Sequence, residues 1–132
     1  MKKKLVKNII LALSIICFLI AVIFFVRIHG KTREFKNFFN QGVQTYLSGD
    51  MESAVVNFKK ALEIKPKDKK VKSILIKTVV ELSLKYYLDG KQDNAMNTIS
   101  TAMSIDVNDP LVRNAYIQIV KGAVLADSSI TK

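Results

Sequence analysis

The chain has 132 residues, 21 of them basic and 11 acidic, for a net charge of +10, with one cysteine and one histidine. Once an apolar front segment is set aside, about one hundred residues remain, enough for one small domain and too few for two. The single cysteine, Cys17, excludes an internal disulfide and a cysteine-based zinc site.

The distribution of charge says more than its total. Lys2, Lys3, Lys4, Lys7, Arg27, Lys31, Arg33 and Lys36 lie in the first 36 positions with only Glu34 against them. They flank an apolar run, as at a membrane boundary, and do not form a phosphate-binding face. Nucleic acid is accordingly not an expected partner.

Residues 1–30 read as a lysine-rich start and a transmembrane signal anchor. Ile9 to Val26 are eighteen residues without a charge, and the apolar reach extends over residues 5–28. Eighteen helical residues cover about 27 Å, close to the hydrocarbon thickness. A cleaved secretory signal is the alternative, but no small-x-small site follows Val26. Lipidation of Cys17 would want a small residue where Ile16 stands, so an inert membrane-buried thiol is expected. Basic residues on both sides nearly balance. The amino-terminal group tips the expectation to an amino terminus in the cytoplasm, with the remaining domain outside the inner membrane of a bacterial cell. His29 reads as an interfacial residue.

Residues 31–132 predict an all-α domain, because apolar residues recur at three and four with no sustained alternation. Helices are expected near Arg33 to Leu47, Met51 to Ile64, Asp68 to Leu88, Lys91 to Ile105 and Pro110 to Ala126. Gly49 and Gly90 supply left-handed stops, Asp50 and Asp68 supply caps, and Pro66 ends a helix. Lys91 is a poor cap. Asp109-Pro110 is the clearest start.

A repeat underlies these elements. Gly49 is followed by Ala54, Phe58 and Ala61, and Gly90 by Ala95, Ile99 and Ala102 at the same offsets. Small residues there let antiparallel helices approach closely. With Phe38, Gly42, Tyr46 and Pro66, residues 35–68 resemble one unit of the tetratricopeptide repeat family. A second unit, about residues 76–109, matches through Leu82, Ser83, Tyr86, Ala95, Ile99 and Ala102, with Val107 where the closing proline belongs. The two glycines are 41 positions apart, against the family's 34-residue unit, which implies seven inserted residues near Asp68 and irregular stacking. The resemblance implies a short helical-hairpin solenoid after the transmembrane helix. A capping helix at about residues 110–126 carries the stripe Leu111, Val112, Ala115, Tyr116, Ile119, Val120, Ala123 and Val124; a homo-oligomer through this stripe is the alternative use.

The resemblance also implies a partner groove on the first helix of each pair: Lys36, Phe39, Asn40, Val43, Tyr46 and Leu47, then Lys77, Glu81, Leu84 and Tyr87. Phe39 and Val43 stand where clamps for acidic carboxyl termini carry Lys and Asn, so an apolar helix or extended peptide is the expected ligand. A second surface is the run Lys59, Lys60, Lys65, Lys67, Lys69, Lys70 and Lys72, which would suit anionic headgroups or an acidic partner and contains no aromatic for base stacking. Asp106 and Asp109 resemble a carboxylate pair, but capping accounts for them. No nucleophile-base pair, phosphate loop or metal spacing occurs, and neither enzymatic activity nor a cofactor or metal is expected.

The function expected from sequence is a membrane-anchored protein-protein interaction scaffold of a bacterial envelope complex. The alternatives are a translocon-associated or chaperone-like factor for emerging polypeptides, and a lipid-surface-binding protein using the Lys59–Lys72 cluster.

Overall fold

The computed structural model describes the backbone of residues 2–130 and, apart from Val26, Ile28 and His29, the side chains of residues 11–124. The roles expected for the side chains of Lys2, Lys3, Lys4, Lys7 and His29 therefore lie outside the described residues. The chain is all-α, with α1 (Lys2–Leu47), α2 (Met51–Ile64), α3 (Lys69–Leu88), α4 (Gln92–Ile105) and α5 (Pro110–Ile130). It divides into two compact units, Met1–Glu34 and Phe35–Lys132.

In the first unit the side chains from Leu11 to Phe25 are exposed, Cys17 among them. An 18-residue window of α1 has a mean hydropathy of 2.9, which makes α1 a helix long and apolar enough to cross a membrane. The sequence separates the span from a later helix starting near Arg33. The structure has no such break: α1 includes Gly30 and Arg33. Gly30 lacks a proline or capping residue beside it, and one glycine costs a helix only about 1 kcal/mol.

In the second unit, local chemistry sets each turn. Gly49 (φ 85°) and Gly90 (φ 73°) both occupy the left-handed region. Their turns are built from the same bonds: Gly49 N–H to Tyr46 O and Asp50 N–H to Thr45 O, then Gly90 N–H to Tyr87 O and Lys91 N–H to Tyr86 O. Asp50 caps α2 by accepting from Ser53 N–H at 3.0 Å. Asp68 accepts from the N–H groups of Lys70 and Val71, both at 3.1 Å, and Asp109 from Leu111 N–H at 2.8 Å. Lys91 makes no side-chain cap, as its side chain has no acceptor.

Packing follows the small-residue rule. Ala54, Ala61, Ala95 and Ala102 are all fully buried, and Phe58 and Ile99 fill the space they leave. A Cβ placed on Gly42 would stand 2.7 Å from the Phe58 ring, so α1 and α2 touch there through backbone and aromatic face. Ser83, 41 positions on, is also buried and returns its hydroxyl to Val80 O at 2.8 Å.

The 41-residue spacing also relates α3 to α5. Asp68 and Asp109 cap α3 and α5, Val71 and Val112 are both buried, and so are Thr78 and Ile119. The residues beyond a 34-residue unit lengthen α3 to 20 residues, against 14 in α2 and in α4, and α5 starts in the same way as α3. At the crossing position held by Gly42 and Ser83, α5 carries Val124, 62% exposed. A branched side chain there blocks the close approach of another helix, which suits α5 to ending the stack.

Candidate functional site

The residues expected to line a groove on the first helices divide by burial. Phe39, Val43, Tyr46, Leu84 and Tyr87 are half-buried and pack against the core. Lys36, Asn40, Leu47 and Lys77 are exposed. Tyr46 donates to Glu81 Oε2 at 2.7 Å, joining α1 to α3, and Lys77 lies 3.9 Å from Glu81 Oε1. Tyr87 is turned onto Gly122 of α5, its ring filling the space of a Cβ there. What remains open on this face is largely polar, because its aromatics join neighbouring helices.

An apolar cleft lies elsewhere, between α2, α3 and α4. Val55, Leu62, Leu75 and Ile105 form its apolar wall, Thr101 and Ser104 one lip, and Lys59, Glu63, Pro66 and Lys72 the other; it encloses about 490 Å³. A second depression, over Lys65, Pro66, Lys67 and Asp68, adjoins it at Pro66. None of the expected groove residues lines either depression. Val55 and Leu62 are one heptad apart on α2, and a second apolar row beside Ala54, Phe58 and Ala61 was the sequence signal for this cleft.

The lysine run splits into three groups. Lys60, Lys65 and Lys70 hold their ammonium groups over Phe38, Phe35 and Phe39, at 5.1, 4.1 and 5.5 Å from the ring centroids. Phe35 and Phe39 are themselves stacked, 6.2 Å apart. Lys72 pairs with Asp106 at 2.8 Å, which holds the Asp106 carboxyl below the usual carboxylate range. Lys59, Lys67 and Lys69 are exposed. The sequence run contains no aromatic, but the fold brings three from α1.

Two tyrosines carry raised pKa values, each mainly because it donates to a carboxylate: Tyr46 to Glu81, and Tyr86 to Glu52 at 2.9 Å. Asp50 is lowered, first by hydrogen bonds from Ser53 and further by the charge of Lys85. These groups join or cap helices. Among the described residues no three His, Cys, Asp or Glu side chains gather as a metal would require. Asp106 and Asp109 serve the turn before α5, Asp106 accepting from Asn108 N–H at 3.2 Å.

No family model matches this chain, and no curated protein matches it significantly.

Proposed function

We propose that this chain is a membrane-anchored, tetratricopeptide-like scaffold, one that holds an apolar segment of a partner protein in the cleft between α2 and α4. The observation that carries the reading is the wall of Val55, Leu62, Leu75 and Ile105, a concave apolar surface rimmed by polar and charged side chains. Lys59 and Lys72 on its rim favour a segment with a carboxylate beside its apolar anchors. The face of the first helices offers less, since its aromatics are occupied. The anchor confines the cleft near the bilayer and raises its effective concentration toward membrane partners.

In-cell photocrosslinking from Ser104, at the lip of the cleft, tests the assignment. The expected result is one recovered protein partner, lost on Val55→Glu or Ile105→Glu and retained on Asn40→Ala with Lys77→Ala. Recovery that depends on Asn40 and Lys77, and not on the cleft, would return the site to the first helices.

A further inference from the structure

We infer that the lysine-bearing end of the helical unit, formed by Lys59, Lys60, Lys65, Lys67, Lys69 and Lys70, is a docking surface for an anionic lipid bilayer. This rests on α1 spanning a membrane.

The repeat supplies an internal control. The same positions 41 residues later hold Ser100, Thr101, Asp106, Asn108, Pro110 and Leu111, none of them basic. The second turn nevertheless forms the same bonds, Lys65 N–H to Ala61 O and Asp68 N–H to Lys65 O being matched by Asp106 N–H to Ala102 O and Asp109 N–H to Asp106 O. The fold of this turn does not require lysine.

None of the six is ion-paired: the ion pairs among the described residues take Lys72 and Lys77 instead. Three are held over phenylalanine rings of α1, which fixes them at one end of the unit. The opposite end, about 30 Å away along the 20 residues of α3, carries Asp50, Glu52, Asp89 and Asp93 against Lys85, Lys91 and Lys121. A negative surface therefore attracts the lysine-bearing end, where the six lysines outnumber Glu63, Asp68 and Asp109, more strongly than the nearly balanced opposite end.

Chain length selects the bilayer as the occupant. Phe35 is seven residues beyond Ile28, the last residue of the apolar reach. Even fully extended, that stretch spans at most about 25 Å. Lys65 lies 4.1 Å from the Phe35 ring, so the lysine-bearing end is the part of the unit tethered by this short stretch to the end of the span. An anionic leaflet attracts basic segments at its surface, and here the surface is always present.

The full chain carrying Cys17→Ser and Lys67→Cys, labelled with a fluorophore, would be reconstituted in phosphatidylcholine vesicles with or without phosphatidylglycerol. Quenching by a headgroup spin label is read in each, with Asp89→Cys as the far-end control. The expected result is stronger quenching at 67 in the anionic vesicles, reversed by salt and absent at 89. Lys59→Gln with Lys69→Gln should lower the docked-to-free ratio roughly 30-fold, as expected for two lysines leaving an anionic surface. Equal quenching in both lipids, with the chain resistant to carbonate extraction, would overturn docking alone. A chain released by carbonate would overturn the anchor and docking together. A label that responds to polyglutamate and not to phosphatidylglycerol would replace the bilayer by an acidic polypeptide and overturn the inference.

Discussion

Tyr87 sets the end of its ring on Gly122, and 41 positions earlier in each partner Tyr46 donates a hydrogen bond to Glu81. The same tyrosine position thus reaches the first helix of the next hairpin twice, once through a carboxylate and once through a bare backbone. The repeat conserves the crossing and varies its chemistry.

Replacing Gly42 by Ala should be destabilising, whereas Gly122→Ala should be close to neutral. Phe58 is 1% exposed and has nowhere to move when a methyl intrudes, so overpacking of about 1–3 kcal/mol exceeds the helix-propensity gain of about 1 kcal/mol. Tyr87 is half-buried and can swing its ring end aside. Denaturant titration of the full chain in detergent checks the order, and equal effects at the two glycines would contradict it.

The uncapped start of α4 leaves room for improvement. Lys91→Asn should stabilise the unit by about 1 kcal/mol, and Asp68→Ala should cost a similar amount by removing the acceptor for two N–H groups. Thermal melting followed by circular dichroism would show the two variants shifting in opposite directions.

Stability should fall off at both extremes of pH. Asp50 and Asp106 have folded pKa values below the ordinary 3.8, so what they contribute is present above that pH and is lost as pH falls through the depressed values. Tyr46 and Tyr86 have folded values above 10.0. Their contribution is full below that pH and is lost as pH rises through the raised values. Tyr46→Phe with Tyr86→Phe should flatten the alkaline limb of a denaturation-midpoint profile and leave the acid limb in place. A steep alkaline limb in that variant would assign it to other groups.

Enlarging a crossing residue should cost more than enlarging a lip residue of the cleft. Ala95→Leu places a large side chain at a fully buried site and should lose about 1–3 kcal/mol. Ser104→Leu, on an exposed position, should stay within about 0.5 kcal/mol of the unaltered chain. Comparing their unfolding midpoints separates the two kinds of position.

The apolar span and the helix boundaries from Leu47 to Pro110 were legible in the sequence because their causes are local, whereas the break expected before Arg33 had no such cause and α1 runs through it. A left-handed glycine, an aspartate accepting from amides two or three residues on, or a proline acts within one turn of backbone, and so the bounds of α2 were readable from Asp50 and Pro66. The repeat was visible only in part, since Thr78 and Ile119, or Ser83 and Val124, share a position without sharing chemistry. Tertiary packing alone decided that Tyr87 lies on Gly122, that Lys65 faces Phe35, and that the open apolar wall joins Val55 to Ile105. Those side chains are 30 to 50 positions apart, and their neighbours follow from how the hairpins stack, which no local signal specifies.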